Sequence, residues 1–311
     1  MADVLTGRSM TVALKQKKPW WKEIRKHWMD YLFISPFFIT FIVFALYPLG
    51  WALQLSFSRW RGFGPMQYVG FDNYRAMLKD PFVIQSFINT LEFYLILLPT
   101  GVLIAIVLAV ILNIKTLRGR GIFRTIYFLP FVTSTVIVGL VFSQLFEDTQ
   151  GWVNQALIAL GLEPVRWLRG SPWGAKTAVV LLTHWGGIGY NVLLFLGGLQ
   201  GIEPEIYEAA KIDGANEWQT FWRITIPLLR PIILFLSVMA TIGLINMFNQ
   251  VFILTAGGPE GETRTLMYRL YEIGFRSGGR YGDAAAFGFL IGLAVIAISM
   301  VQLRLFGLNR D

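Results

Sequence analysis

Residues 208–227 read EAAKIDGANEWQTFWRITIP, and this segment lies between two long apolar runs. A glutamate and two alanines open it, a single glycine stands at position 214, and an aromatic stretch leads to Pro227. A loop that merely joined two apolar segments would not need this order of small, acidic and aromatic residues. The regions on either side indicate what kind of protein contains it.

The composition is that of a membrane protein. Of the 311 residues, 55% are hydrophobic and 15% are charged, whereas a soluble domain carries about a quarter charged residues. Six charge-free runs exceed 18 residues: 31–58, 93–114, 125–146, 177–202, 231–259 and 284–303. A helix of roughly 20 apolar residues spans a bilayer, where the backbone must satisfy its own hydrogen bonds. We therefore predict an all-α membrane protein with six transmembrane helices.

Lysine and arginine indicate the orientation. If the N-terminus defines side one, that side carries 16 of the 27 basic residues and the other side carries 11. Because an excess of Lys and Arg marks cytoplasmic loops, both termini are predicted to be cytoplasmic. The predicted parts are an N-terminal cytoplasmic segment (1–30), a six-helix transmembrane domain (31–306) with an internal loop (203–230), and a cytoplasmic tail (307–311).

Several chemistries are disfavoured by what the sequence lacks. It has no cysteine and two histidines on different segments, so no metal site is expected. It has no GxxxxGK[ST] phosphate loop and no nucleophile–base pair, so we expect no ATP site or catalytic centre on this chain. The net charge of +8 is better explained by topology and anionic lipid than by nucleic acid.

The internal loop 203–230 is predicted to form a helix–turn–helix. A proline and acids suit the first turn of a helix, and Gly214 can adopt the left-handed conformation that ends one. Ala209, Ala210 and Asp213 share a face by helical spacing, and the small alanines would let another surface approach closely. A hairpin that packs only on its own bundle fits the same pattern.

The spacing within this loop resembles a known family. Glu208-Ala209-Ala210, three residues, Gly214, nine residues and Ile224-x-Ile226-Pro227 are similar to the EAA loop of binding-protein-dependent ABC importer permeases, EAA–x3–G–x9–I–x–L–P. Only Ile226 departs from that pattern. FLPFVTS near 128–134, IPLLRP and LTAGGP…ETRTLMYRLYEIGF extend the resemblance over most of the chain, towards sugar permeases related to the maltose system.

The resemblance implies a type I ABC importer permease fold and a role for each loop residue. Glu208 would be the acid that meets a cytoplasmic ATPase, Ala209 and Ala210 would allow close docking with Asp213 on the same face, and Gly214 would make the turn. The implied partners are a second permease subunit in a heterodimer, a dimer of ATPase subunits that binds ATP and Mg, and an extracytoplasmic solute-binding protein. This chain would bind no cofactor itself and would lie in a bacterial or archaeal plasma membrane.

The apolar runs contain no Lys, Arg, Asp or Glu. Since a charged solute normally requires ionisable groups within the membrane, this favours a neutral, hydroxyl-rich solute such as a mono- or oligosaccharide. Amide and aromatic side chains are the predicted substrate path: Trp185, Tyr190, Asn191, Asn246, Phe248, Asn249 and Gln250. The three amides of span five are expected on one helical face, and the glycines near Trp185 are expected to loosen span four. The alternative for each residue is a bond between helices.

Two other functions stay open at this stage. The first is the same machinery with glycerol-phosphate or another polyol derivative as its solute, and a phosphate would require an arginine or helix N-termini at the cavity. A stand-alone channel or secondary transporter would show an inverted repeat, and we see none. An enzyme is disfavoured.

Overall fold

The structure is a computed structural model that describes residues 21, 25–114 and 116–305. Most of the predicted segment 1–30 and all of the tail 307–311 therefore lie outside the described residues. The chain divides into two compact units, Met1–Ala52 and Leu53–Asp311.

A long helix accounts for the described part of the first unit and extends to Ser56. It consists of α1 (Trp28–Phe41), a π-helical turn (Ile42–Leu46) and α2 (Tyr47–Ser56). None of residues 25–52 is buried, although large apolar side chains such as Phe33 and Phe44 cover the surface. A helix that is apolar on all sides is suited to a hydrocarbon environment rather than to water.

The second unit is mainly helical. In chain order its helices are α3 (Asp72–Lys79), α4 (Pro81–Asn113), α5 (Arg120–Val132), α6 (Thr135–Leu145), α7 (Trp152–Ala159), α8 (Pro172–Gln200), α9 (Pro204–Ile212), α10 (Glu217–Thr220), α11 (Ile226–Leu228), α12 (Arg230–Ile245), α13 (Asn249–Leu254), α14 (Leu266–Tyr271) and α15 (Tyr281–Leu305). Two π-helical turns, Phe221–Thr225 and Glu272–Arg276, follow α10 and α14. Strands β1 (Ser58–Arg59) and β2 (Gln67–Tyr68) pair antiparallel, a small exception to the predicted all-α class.

Four helices in the described part of the chain are long and apolar enough to cross a membrane, and there are up to six spans if each of two bent pairs counts as one. The predicted third span is the first of these pairs, because α5 and α6 meet at 97°. Thr133 and Ser134 have ψ angles of 143° and 121°, far from the helical value. Pro130 lies in the last turn of α5 and has no N–H to donate to the preceding turn, which weakens the helix just before the bend.

The predicted fifth span is also interrupted. Helix α12 ends at Ile245, and α13 begins only at Asn249. The prediction that Asn246, Asn249 and Gln250 lie on one continuous helical face was therefore wrong. Asn246 adopts a non-helical conformation as the C-terminal cap of α12. Residues 249 and 250 therefore belong to a separate helix, α13.

Helices α4 and α8 form the centre of the second unit. Small residues that are fully buried, Ala105 and Ala109 on α4 and Ala178 on α8, let the two backbones approach closely. Phe93 and Phe195 fill the space on either side of these contacts. Small residues at helix crossings are the usual means of packing within a membrane, where lipid tails are as apolar as the side chains.

Candidate functional site

A cavity of about 430 Å³ lies in the second unit, where the interrupted helices meet α4 and α8. Its wall includes Leu97 from α4, the bend between α5 and α6, much of 182–191 on α8, and the end of α12. The two breaks thus place irregular backbone at the cavity. Such backbone is tolerated at membrane depth where it is buried in protein or lines a cavity.

Four residues of the predicted substrate path line this cavity, namely Trp185, Tyr190, Asn191 and Gln250. The Tyr190 ring stacks on the ring of Phe131, with centroids 5.1 Å apart and planes 18° apart. None of the described residues in the wall is Asp, Glu, Lys or Arg. The arrangement offers aromatic faces and amide groups without a fixed charge.

The other three predicted path residues lie elsewhere. Asn246 is exposed, and its side-chain amide donates to the Ile242 carbonyl at 2.8 Å. Phe248 packs on the hydrophobic core and stacks on Phe252 with ring centroids 5.1 Å apart. Asn249 is exposed at the start of α13. The break after Ile245 explains their positions, and their part in transport stays a prediction.

Glycines shape the cavity rather than loosen α8. That helix is continuous from Pro172 to Gln200, so the expectation of a loosened span was wrong. A Cβ added at Gly187 or Gly243 would meet no atom within 4 Å, so these two positions leave the cavity open. A Cβ at Gly189 would lie 1.9 Å from the Tyr127 carbonyl oxygen. Gly189 therefore allows α5 to cross α8 at close range.

Part of the cavity wall was not predicted from the sequence. Pro130, Phe131 and Thr133 line the cavity from the bend, and they fall within the FLPFVTS stretch. A proline followed by hydroxyl residues inside an apolar run is a signal for an interrupted helix next to a cavity. His184 also lines the cavity, and its Nε2 lies 2.9 Å from the Thr100 hydroxyl on α4.

The internal loop forms the predicted hairpin. Helix α9 begins with a proline in its first turn and ends at Ile212, and Gly214 follows its C-cap with a φ of +79°. The Ala215 N–H donates to the Ala210 carbonyl at 3.0 Å, and the Gly214 N–H donates to the Lys211 carbonyl at 3.2 Å. This pair of bonds is the Schellman motif, which stops a helix firmly. Asn216 and Gln219 then form a capping box that starts α10.

The two alanines of the hairpin have different surroundings. Ala210 is 6% exposed and faces the protein, whereas Ala209 is exposed together with Glu208, Asp213 and Gly214. The expectation of one open small-residue face therefore holds for Ala209 only. Ile212 at the end of the same helix, which was not predicted as part of this surface, is 86% exposed.

A bond between the arms stiffens the hairpin. The Tyr207 hydroxyl lies 3.2 Å from the hydroxyl of Thr225, which is buried. Helix α12 follows directly, at 62° to the segment Glu217–Leu228. The hairpin therefore joins the helix that lines the cavity through a short and rigid connection.

At the opposite ends of the spans, charged groups bridge distant parts of the chain. Lys176 on α8 is 10% exposed, and its Nζ lies 2.5 Å from Glu92 Oε2 and 3.1 Å from Glu262 Oε2. Arg269 bonds Asp80 at 2.8 Å and Glu272 at 3.2 Å. The Lys176 pairs and the Arg269–Asp80 pair join residues 84 to 189 positions apart, so the sequence pattern could not reveal them.

Asp80 titrates abnormally because of this network. Burial alone would raise the pKa of its carboxyl, but hydrogen bonds from Arg269 and from the Phe82 N–H hold the pKa below its ordinary value of 3.8. A carboxylate with a lowered folded pKa adds stability above its unfolded pKa and loses it as the pH falls through the folded pKa. The contribution of Asp80 is therefore complete at neutral pH and disappears only below about pH 4.

We expect Asp80→Asn to lower the free energy of unfolding by about 2 kcal/mol at pH 7, because it removes a charge-assisted hydrogen bond while keeping a capping side chain. Thermal unfolding of the purified protein in detergent, at pH 7 and pH 3.5, measures this. At pH 3.5 the difference in the free energy of unfolding between the variant and the wild type should be smaller than at pH 7. Asp72→Asn is the control, since its pair with Arg75 is exposed and should contribute well under about 1 kcal/mol. Equal losses in the two variants would contradict the prediction.

The comparison with known proteins concerns most of this second unit. A family model described as the binding-protein-dependent transport system inner membrane component matches residues 98–308. The chain belongs to this family. The match includes the hairpin, helix α15 and the described wall of the cavity except Leu97.

Relatives of this permease transport several sugars and a polyol phosphate. It is 37% identical over 276 residues to the lactose transport system permease protein LacF of Rhizobium radiobacter, covering 88% of this chain and 92% of the relative. It is 34% identical over 311 residues to the arabinooligosaccharides permease AraP of Bacillus subtilis (strain 168), covering 99% and 98%. It is 32% identical over 280 residues to the sn-glycerol-3-phosphate permease UgpA of Yersinia pestis bv. Antiqua, covering 89% and 93%.

Solved structures share the arrangement of helices. A chain of a bacterial ABC transporter involved in the import of the acidic polysaccharide alginate matches with a TM-score of 0.82 and 26% identity, covering 94% of this permease and 100% of that chain. A second structure, in complex with an alginate pentasaccharide-bound periplasmic protein, matches with a TM-score of 0.80 and 26% identity, covering 91% and 96%. The resemblance to ABC sugar importer permeases is confirmed. These relatives are permease subunits, the non-catalytic membrane part of ABC transporters.

Proposed function

We propose that this permease lines the import path for a neutral mono- or oligosaccharide and is driven by a cytoplasmic ATPase that docks on residues 203–230. It would work in the plasma membrane of a bacterium or archaeon, with both termini in the cytoplasm. The wall of the central cavity is the observation that carries the choice of solute.

The cavity wall suits a sugar for physical reasons. Trp185 and the stacked pair Phe131–Tyr190 present aromatic faces, which cover the apolar side of a sugar ring. Asn191 and Gln250 add amides that both donate and accept hydrogen bonds. Hydroxyl-rich solutes need this mixed capacity, and they need no countercharge in a low-dielectric cavity.

The hairpin supports the proposal for energy coupling. Glu208, Ala209 and Ile212 form an exposed patch on a helix whose end is fixed by the Schellman motif. Dimer closure of the ATPase subunits, which hold ATP and Mg, would move this helix as a rigid body. The movement would tilt α12 beside the cavity and expose it alternately to the two sides, together with the second permease subunit.

A phosphorylated solute is the second candidate, because one relative is a permease for sn-glycerol-3-phosphate. Its anionic group would need a cation or helix N-termini in the path. The described wall of the cavity contains no arginine or lysine, although the N-terminus of α6 at Thr135 lies within it. A helix N-terminus carries only about half a charge, so a full countercharge would have to come from the second permease. This makes the neutral solute the better-supported choice.

The test is reconstitution of the permease with its second subunit, the ATPase pair and the solute-binding protein in proteoliposomes. We expect ATP-dependent uptake of neutral oligosaccharides such as lactose or arabino-oligosaccharides. Uptake of glycerol 3-phosphate and no neutral sugar would replace the proposal with the second candidate. Uptake by this chain without the ATPase would mean a stand-alone transporter.

A further inference from the structure

A second cleft lies away from the central cavity, at the start of the last helix. It has a volume of about 210 Å³, and its wall comes from three parts of the second unit: the strand β1 with the turn after it, helix α3, and the start of α15. If each bent pair of helices counts as one span, the connections containing this wall lie on the side of the membrane opposite to the hairpin. Nothing in the proposed transport path uses this cleft.

Buried contacts hold the cleft in a fixed shape. The side-chain amide of Asn73 is 4% exposed and donates to the carbonyls of Ser56 and Ser58, both at 2.9 Å. A Cβ added at Gly282 would lie 2.0 Å from the Ser58 carbonyl oxygen, so only glycine lets α15 approach the strand. The Trp60 ring rests near the ring of Tyr281, with centroids 5.8 Å apart. The wall is therefore preformed.

The charges of the cleft are only partly balanced. Arg280 pairs with Asp283 at 2.6 Å, and Asp72 faces Arg75 at 3.4 Å. Arg59 also lines the cleft, together with Arg61, and both are exposed.

Among the residues that the structure describes, Arg59 and Arg61 make no ion pair and no side-chain hydrogen bond. Two guanidinium groups with unused donors in a fixed cleft match the geometry of a phosphate oxygen pair. The chemistry of the cleft therefore fits an anionic phosphoester.

The position of the cleft indicates where that phosphoester comes from. Arg59 follows the helix Trp28–Ser56 by three residues, and Arg280 precedes the helix Tyr281–Leu305 by one. Both helices are candidate membrane spans, so the arginines lie at the level of lipid headgroups rather than far out in water. Long arginine side chains near the ends of spans reach the interface, where the headgroup phosphates lie.

An apolar rim points the same way. On the turn beside the cleft Phe63 is 93% exposed, and nearby Tyr68 and Phe71 are 79% and 62% exposed. Aromatic side chains with this exposure are typical of the boundary between headgroups and acyl chains. Basic groups beside exposed aromatics favour a lipid over a free phosphate ion or an acidic partner protein.

We propose that this cleft binds the phosphodiester headgroup of an anionic phospholipid, with Arg59 and Arg61 as the principal donors and Arg280 as a third. Trp60 lines the cleft with its ring beside that of Tyr281, and Phe63 inserts beside the acyl chains. A bound lipid would link the end of the first span to the start of the last one. This inference does not depend on the identity of the transported solute.

The test is native mass spectrometry of the delipidated transporter complex, titrated with phosphatidylglycerol, phosphatidylcholine or soluble glycerol phosphate. The wild type should retain one tightly bound phosphatidylglycerol per permease. The double variant Arg59→Gln/Arg61→Gln should bind that molecule about tenfold or more weakly, because it loses both principal cationic donors to the phosphate. Binding of phosphatidylcholine should be equal in both proteins.

The control is Arg166→Gln/Arg169→Gln, which removes two exposed arginines from the connection between α7 and α8. It should leave the tightly bound lipid in place. Unchanged phosphatidylglycerol binding in the Arg59/Arg61 variant would overturn the proposal. Tight binding of soluble glycerol phosphate at the same arginines would also overturn it, because the ligand would then be a free phosphoester. If the Arg59/Arg61 variant lost docking of the solute-binding protein but kept its lipid, the cleft would be a protein contact instead.

Discussion

Replacing Glu208 with arginine is expected to abolish ATP-driven uptake while the permease still folds and inserts into the membrane. Glu208 is exposed on α9 and makes no ion pair within the described part of its own chain. Reversing its charge should therefore change the stability of the permease by less than about 0.5 kcal/mol. At a docked surface, a reversed charge costs about 2–5 kcal/mol, which weakens association by about 30-fold or more.

Two measurements separate coupling from folding. Co-purification of the ATPase with the permease reports association, and ATP-dependent uptake in proteoliposomes reports transport. Glu163→Arg is the matched control, because it reverses another exposed acid, in the connection between α7 and α8, and it should retain both activities. If Glu208→Arg keeps ATPase association and uptake, the hairpin does not carry the coupling, whatever the cavity transports.

Local patterns in the sequence predicted the hairpin well, since a helix start, a glycine stop and the spacing between them depend on neighbouring residues. The same patterns did not predict which alanine faces outward. Ala209 and Ala210 are adjacent and equally small, and only the packing of α9 on the rest of the protein buries Ala210 and leaves Ile212 exposed. Exposure of this kind depends on contacts with residues distant in sequence.

Which residues line the central cavity also depends on tertiary contacts that the sequence pattern does not contain. Counting uncharged runs predicted where membrane segments lie, but it treated each run as one helix. The bend at Thr133 and the end of α12 at Ile245 break two of them, and these breaks decide that Gln250 lines the cavity while Asn249 does not. Proline and hydroxyl residues near a break are a usable warning, whereas the direction of the chain after it depends on tertiary packing.

Filling the cavity from α8 should block transport without uncoupling the ATPase. Gly187 lines the cavity, and a Cβ placed there meets no atom within 4 Å. Gly187→Leu would therefore add a side chain at the cavity wall without a clash at its Cβ. Squeezing a solute past the added methylenes costs about 1–3 kcal/mol, so we expect uptake to fall by about tenfold or more.

The control for this change lies on the same helix. Gly197 is exposed, is not part of the cavity wall, and also has no atom within 4 Å of an added Cβ. Gly197→Leu gains the same helix propensity as Gly187→Leu. It lies about 10 residues, or about 15 Å, further along α8. Because its side chain is away from the cavity, this variant should transport normally. Uptake and ATP hydrolysis are measured on the same proteoliposomes. A Gly187→Leu permease that transports at the rate of Gly197→Leu would show that the solute does not pass through this cavity, because the two variants differ only in where the added side chain points.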